Sequence, residues 1–239
     1  MAILTPRRLL RKFLDKSSSK PMTPVAAVFS LSGLQASVLA GLVGYLVGSF
    51  PTAYLVVRRH AGVDIRSAGS GNVGALNSFE VTHSRWVGFI VLLTDCAKGS
   101  GSVLLAQLLF GAQEGAILTA AACSVLGHVA SPWIGFRGGR GLATGAGAVA
   151  VIAWPVIAGW GAIWLAGYFL FRSVNPANAF ASVAVLAVVL FLPDPLVRPA
   201  LMSGLSAGST GTAIACVMVM ILIKLVGPVK EYIAGLTQS

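Results

Sequence analysis

The residues best suited to chemistry lie in a short glycine-rich segment, 64–77, with the sequence DIRSAGSGNVGALN. Glycine lets the backbone come close to a ligand, and Arg66 adds a permanent cation with a planar set of donors. Neutral hydrogen-bonding groups accompany it at Ser70, Asn72 and Asn77, around Gly71. This chemistry suits a phosphate held at a membrane surface, although a flexible connector would have a similar composition.

A second polar group interrupts an apolar run at Asp95 and Lys98. An ionisable side chain at membrane depth is costly unless it is paired, so such positions are functional candidates. The two residues are three apart on one helical face and can pair with each other. A structural ion pair and a substrate contact are both compatible with this spacing.

The third group begins at His128 and continues through the segment FRGGRG at 136–141. Two arginines among glycines, directly before an apolar helix, combine exposed amides, a helix N-terminal dipole and two guanidinium groups. That arrangement predicts an anion site, and its spacing does not match a nucleotide P-loop. His128 is either a packed, hydrogen-bonded residue or a functional one. The candidate binding residues here are Arg137, Gly138, Gly139, Arg140, Gly141 and Thr144.

Other kinds of site find little support in the sequence. No His or carboxylate cluster has metal-ligand spacing, and no Ser-His-Asp order is present, so we expect no metal. The three cysteines, Cys96, Cys123 and Cys216, lie inside apolar runs and are interpreted as packing residues. The net charge of +10 is attributed to cytoplasmic basic loops and anionic lipid headgroups, not to nucleic acid.

The elements that must position these residues are transmembrane helices. Of 239 residues, 56% are hydrophobic and only 10% are charged, whereas soluble domains have about 25% charged residues. The mean hydropathy is +0.85, and no strand-period alternation is visible. We therefore expect an all-α, polytopic integral membrane protein with short cytoplasmic loops rich in Gly and Arg.

Apolar runs long enough to cross the membrane predict about seven helices. The uncharged run 142–171 would be about 45 Å long as one helix, so we expect a break at Trp154-Pro155. The predicted spans are 34–57, 86–110, 115–134, 142–153, 155–171, 178–192 and 200–226.

The distribution of basic residues orients these spans. If the first helix runs inward, the loops at 58–85, 135–141 and 172–177 face the cytoplasm with most of the arginines. All three polar groups then share that face. The basic segment 1–23, an amphipathic surface helix or a disordered tail, would lie outside, unless 24–33 is re-entrant or the first helix is shifted. We expect a transmembrane domain over 24–226 and a C-terminal tail over 227–239.

Taken together, these motifs resemble the bacterial acyl-phosphate:glycerol-3-phosphate acyltransferases of the PlsY type. The resemblance covers about residues 41–171 and rests on four motifs in the family's order. It implies a seven-helix enzyme of the inner membrane, with its site at the cytoplasmic side and no cofactor or metal. The implied reaction belongs to phospholipid biosynthesis: acyl phosphate and glycerol 3-phosphate give lysophosphatidic acid and phosphate. The matching residues are Gly48–Pro51, Asp64–Asn77, Asp95, Lys98, Gly99, Gly127, His128 and Phe136–Thr144.

The resemblance also implies roles for individual residues. Both substrates carry phosphate, which Arg66, Lys98, Arg137 and Arg140 would neutralise while loop amides supply directional donors. Because acyl phosphate is already activated, the protein mainly positions the hydroxyl and stabilises developing charge. We predict His128, Arg66 and Arg140 as catalytic, with the hydroxyl proton accepted by His128 or by a substrate phosphate oxygen. The predicted substrate-binding residues are Ser49, Ser70, Gly71, Asn72, Asn77, Asp95, Lys98, Arg137, Gly138, Gly139, Gly141 and Thr144.

Two departures from the family pattern keep alternatives open. Arg140 stands where the family usually has Lys, and the family's C-terminal His-Arg-x-Asn-Ile tail has no counterpart around Lys224–Tyr232. A different acceptor for the acyl group is one alternative. A non-catalytic homologue that binds phospholipid or stabilises a complex is another. A transporter ranks last, because the polar groups gather on one face and not at the midplane.

Overall fold

The computed structural model describes residues 31–191, 202 and 204–237, and the predicted segment 1–23 lies outside them. Within those ranges all regular structure is helical, as predicted, and two 3-10 turns occupy Ile65–Ser67 and Pro132–Ile134. The α-helices are α1 (Gly33–Ser49), α2 (Thr52–Ala61), α3 (Ala75–Thr82), α4 (Arg85–Phe110), α5 (Glu114–Val129), α6 (Leu142–Phe171), α7 (Val174–Phe191) and α8 (Ala207–Leu236).

The number of membrane crossings depends on α6. Counting α1 with α2, and α5 with the turn that follows it, six described stretches are long and apolar enough to span a bilayer. Inside α6, however, Ala153 has non-helical torsions (φ −159°, ψ 68°), two residues before Pro155. Leu142 and Val174, which flank this stretch, line the same cavity, so α6 crosses twice. The break predicted at Trp154-Pro155 is confirmed one residue earlier, and the described part of the chain makes seven crossings.

Helices pack closely where their residues are small. Parallel helices α1 and α5 meet in register: a Cβ at Gly44 would strike the Ala120 backbone, and one at Gly48 would strike the Ser124 carbonyl. Small residues provide this close approach in lipid, where no hydrophobic force drives helices together. Many of the large apolar side chains face outward, including Leu42, Leu46, Leu93, Phe169 and Ile223, whereas others, such as Ile117 and Ile152, are fully buried in the core.

Several boundaries differ from the prediction. The span predicted over 34–57 is two helices, α1 and α2, interrupted at Phe50-Pro51, and the helices predicted to begin at 178 and 200 begin at Val174 and Ala207. The connection predicted over 58–85 contains the short helix α3. The last span, predicted to end near 226, continues to Leu236 with Pro228 inside it. A proline removes one helical hydrogen bond, which membrane helices tolerate, and the Tyr232 hydroxyl donates to the Phe171 carbonyl at 2.8 Å. That contact ties the end of α8 to the turn before α7.

Candidate functional site

A cavity of about 180 Å³ opens where the three polar groups meet. Its polar lining includes side chains from the first glycine-rich loop, from α4, from the end of α5, from the second glycine-rich segment and from α7. These are Asn72, Asp95, His128, Arg140 and Asn178. Apolar side chains, Leu76, Leu92 and Leu142 among them, form the rest of the wall. The cavity therefore combines a cationic and amide-bearing part with an apolar part.

A buried charge cluster lies beneath this cavity. The Lys98 ammonium donates to Asp95 Oδ1 at 2.7 Å and to the Phe50 carbonyl at 2.6 Å. His128 Nδ1 lies 3.8 Å from the same Asp95 oxygen, beyond hydrogen-bond distance. All three side chains are buried, and they line a second, very small cavity with Gly139. The approach of His128 to a carboxylate was not evident from the sequence, because the two residues lie on different helices.

The second glycine-rich segment folds back over His128. The Gly138 and Gly139 amides donate to the carbonyls of Val129 and His128, each at 3.2 Å. A Cβ at Gly139 would collide with His128 Nε2 and with the Val73 carbonyl, so only glycine allows this approach. These two amides are used by the fold, so the Arg140 guanidinium is the candidate anion-binding group of this segment.

Arg140 is half-buried and fixed in direction. Its Nη1 donates to Asn175 Oδ1 at 2.6 Å. Burial lowers the pKa of Arg140, and the nearby carboxylates of Glu231 and Glu80 oppose that shift. Because an arginine pKa lies far above neutrality, the guanidinium remains charged. Arg140 is thus a cation held at the wall of the cavity.

Two asparagines at the start of α7 were not among the predicted site residues. Asn175 positions Arg140, whereas Asn178 is buried and lines the cavity. Among the described residues no hydrogen-bond partner is found for Asn178. Two amides three residues apart, at the start of an otherwise apolar helix, were the available signal in the sequence.

The first glycine-rich loop is organised around Asn77, which is buried. Asn77 Oδ1 accepts from the Ser70 amide at 2.9 Å, and its Nδ2 donates to the carbonyls of Ala68 and Asn72 at 3.1 and 2.9 Å. Gly71 adopts positive φ (+68°) inside this turn. Asn77, Ser70 and Gly71 lie outside both cavities, and only Asn72 of the predicted loop residues reaches one.

The Arg66 side chain also contacts other groups of the protein, and it lines neither cavity. Its Nη2 donates to Asp64 Oδ2 at 2.6 Å, and its Nη1 to the Ile134 carbonyl at 3.2 Å. Its guanidinium carbon lies 5.0 Å from the centre of the Tyr54 ring. The hydrogen bonds from Arg66 lower the pKa of Asp64 to about 2, and Asp64 in turn raises the pKa of Arg66. Arg66 thus links the first loop to the residues just before the second segment.

The remaining predicted residues are distributed around the site. The Ser49 hydroxyl lines the small cavity and accepts from Trp133 Nε1 at 2.9 Å. Thr144 is fully buried and lines neither cavity, and its hydroxyl has no hydrogen-bond partner among the residues that the structure describes. Gly141 lines the larger cavity with φ +84°, whereas Gly138 and the exposed Arg137 do not reach it. No group of three His, Cys, Asp or Glu residues within the described ranges could hold a metal ion.

Comparisons with a family model and with individual proteins agree on one family. The family model for glycerol-3-phosphate acyltransferase matches residues 38–235. A glycerol-3-phosphate acyltransferase of Synechococcus sp. (strain JA-3-3Ab) is 40% identical over 172 residues, covering 72% of this chain and 82% of that protein. One of Gluconobacter oxydans (strain 621H) is 40% identical over 173 residues, covering 71% and 81%.

A solved structure has a similar fold. A crystal structure of PlsY (YgiH), an integral membrane glycerol 3-phosphate acyltransferase, in its glycerol 3-phosphate form, superposes with a TM-score of 0.70 at 26% identity. The similarity covers 83% of this chain and 92% of that one. The lysophosphatidic acid form of that protein gives a TM-score of 0.68. The chain is a multi-pass integral membrane protein that belongs to the glycerol-3-phosphate acyltransferase family.

Proposed function

We propose that this protein transfers a fatty acyl group from acyl phosphate to the 1-hydroxyl of glycerol 3-phosphate, producing lysophosphatidic acid and phosphate. One observation carries the proposal: a single cavity is lined by Arg140 and Asn178 together with the apolar side chains of Leu76, Leu92 and Leu142. A substrate with a phosphate group and a fatty acyl chain needs a polar, cationic wall for the phosphate and an apolar wall for the chain. The names of the relatives, and the two forms in which PlsY was solved, support the same substrates.

The polar residues have different roles in this proposal. Arg140 binds a substrate phosphate through charge-assisted hydrogen bonds, and Asn72 and Asn178 orient its oxygens or the glycerol hydroxyls. Lys98 is already paired with Asp95, so the pair supports His128 and the end of α1. The apolar side chains hold the acyl chain where the cavity meets lipid.

The chemical step needs little from the protein. The 1-hydroxyl oxygen attacks the acyl carbon, the bond from that carbon to the phosphate oxygen breaks, and the hydroxyl proton leaves with the phosphate. We assign the proton to phosphate because Asp95 is paired with Lys98 and its oxygen is 3.8 Å from His128 Nδ1. His128 is then a positioning residue. The rate enhancement comes from positioning the two substrates and from stabilising the negative charge that develops in the transition state.

The membrane and the orientation belong to the same proposal. Arg58, Arg59, Arg85, Arg137 and Arg172 all lie on the cavity side of the bundle, which the positive-inside rule assigns to the cytoplasm. We therefore expect the protein to lie in the inner membrane, with the cavity facing the cytoplasm.

In a variant without the native cysteines, Ser70→Cys should react with a membrane-impermeant maleimide only after the cells are opened. Reaction in intact spheroplasts would contradict this orientation.

An assay of the purified protein with palmitoyl phosphate and radiolabelled glycerol 3-phosphate tests the activity. Labelled lysophosphatidic acid that disappears with Arg140→Ala, and persists with the exposed Arg137→Ala, is the expected result. Release of phosphate without labelled lipid would indicate hydrolysis or another acceptor. Binding of either substrate without any turnover would indicate a non-catalytic homologue.

A further inference from the structure

A third recess lies on the outer surface of the bundle, apart from the two cavities of the candidate site. It is an open groove of about 820 Å³ between α2 and the first turns of α4. Its walls are the apolar side chains of Leu55, Val56, Val87 and Ile90, and one end carries Arg58, Arg59 and His60. None of these residues lines either cavity of the catalytic site.

The groove has an apolar part and a cationic part at fixed positions. Leu55 and Ile90 are 43% and 45% exposed, as expected for side chains that face acyl chains. Arg58 is held at the rim, because its Nη1 donates to the Tyr54 hydroxyl at 2.8 Å and its guanidinium lies 5.7 Å from that ring. Arg59 and His60 have no hydrogen bond or ion pair within the described part of the chain. Neither guanidinium forms an ion pair within the described residues, and Asp64, the carboxylate that acts on Arg58 from a distance, is already bound to Arg66. The rim therefore keeps a net positive charge.

Charge complementarity indicates what occupies such a groove. An anionic phosphodiester beside the rim would neutralise the arginines, and its acyl chains would cover the apolar walls. The chain's own N-terminal segment is an unsuitable occupant, because residues 1–23 carry six Lys or Arg against one Asp. Leu31, where the described chain begins, also precedes the opposite end of the first span from Arg58.

We propose that the groove between α2 and α4 is a binding site for an anionic glycerophospholipid of the surrounding bilayer, separate from the substrate cavity. The phosphodiester lies against Arg58, Arg59 and His60, and one acyl chain lies along Leu55, Val87 and Ile90. A lipid held there keeps α2 packed against α4, next to the loop that supplies Asn72 to the cavity. The site recognises the negative headgroup and the chain together.

Native mass spectrometry of the full-length protein, released from mixed phosphatidylglycerol and phosphatidylcholine nanodiscs, tests this proposal. The wild type should retain phosphatidylglycerol in preference to phosphatidylcholine. The double variant Arg58→Gln/Arg59→Gln should lose about fivefold in that preference for each arginine removed. The matched control Arg85→Gln/Lys230→Gln removes the same charge from the same side of the bundle, outside the groove, and should retain the preference.

Three results would overturn the assignment. Equal losses in the groove and control variants would mean that only the general surface charge attracts lipid. If the groove variant kept its full preference for phosphatidylglycerol, the lipid would bind elsewhere on the protein. Displacement of the lipid by glycerophosphoglycerol, which lacks acyl chains, at the same concentration as by intact phosphatidylglycerol would mean that the groove binds a free phosphodiester. None of these readouts depends on turnover, so they are independent of the proposed acyltransferase activity.

Discussion

Two glycine-rich segments that each contain arginine, 64–77 and 135–141, have similar compositions and different uses. In the first, most of the polar groups are bonded to other groups of the protein: Arg66 binds Asp64 and the Ile134 carbonyl, and Asn77 binds four backbone groups. In the second, the amides are also used, but the side chain of Arg140 lines the cavity. The same residue types therefore shape one segment and supply the candidate binding group of the other.

The difference follows from the hydrogen-bonding needs of irregular backbone. A buried peptide group without a partner is costly, so a glycine turn next to lipid must satisfy its own amides and carbonyls. Asn77 does this for the first loop with one side chain, because an amide offers acceptors and donors together. The second segment satisfies its amides on the end of α5, which leaves its long side chain available. Composition reveals both segments, and hydrogen bonding determines which atoms remain for a ligand.

Among the variants that test this comparison, we expect Arg140→Gln to have the largest effect. It removes the one charge of the second segment that lines the larger cavity, and we expect kcat/KM to fall by about 10²–10³-fold without loss of folding. Arg140→Lys should retain part of the activity, because a point charge replaces a planar fork. The measurement is acyl transfer to labelled glycerol 3-phosphate, with thermal unfolding as the check on folding.

Arg137→Gln is the matched control for that prediction. It removes an equal charge from the same segment, but its side chain is exposed and outside both cavities. We expect its activity to stay within about twofold of the wild type. An equal loss in both variants would show that general positive charge, and not the cavity contact, determines activity.

Asn77→Ala should act on stability. The substitution leaves several buried backbone groups of the first loop unpaired, and we expect the free energy of unfolding to fall by about 2–4 kcal/mol. Thermal unfolding in detergent measures this loss. Asn72→Ala is the contrasting variant: its side chain lines the cavity, so it should reduce activity more than stability. Identical behaviour of the two variants would remove the distinction between a shaping residue and a lining residue.

The sequence predicted the helices and the broken span because hydrophobic length and proline position are local properties. It also predicted that residues near Asn72, Asp95, His128 and Arg140 would meet, and the cavity contains all four. It could not predict that Arg66 is occupied by Asp64 and Ile134, because the Ile134 carbonyl is brought near only by the fold. Asn178 was missed for a related reason: the two amides at the start of α7 were a local signal, but only the fold brings Asn178 to the cavity.

His128→Gln separates a positioning role from a proton-accepting one. The second segment covers this imidazole, and we assign the proton to the departing phosphate. We therefore expect kcat to fall by only about tenfold, below the usual contribution of a general base. The kcat of the wild type should change little between pH 6 and pH 8. A loss greater than about 10³-fold, with a sigmoidal pH dependence that the variant lacks, would assign the proton to His128 instead.

Asp64→Asn should have the smallest effect, and it tests the first segment through pH. The pKa of Asp64 is lowered from 3.8 to about 2 in the folded protein, so its carboxylate stabilises the fold above about pH 4. That contribution is lost as the pH falls from about 4 towards 2. In Asp64→Asn this part of the pH dependence of Tm should be absent, while activity near pH 7 stays within about threefold of the wild type. Arg66 retains its hydrogen bond to the Ile134 carbonyl and its cation–π contact with the Tyr54 ring. If Asp64→Asn instead reduced activity as strongly as Arg140→Gln, the first segment would take part in substrate binding, and the contrast between the two segments would be lost.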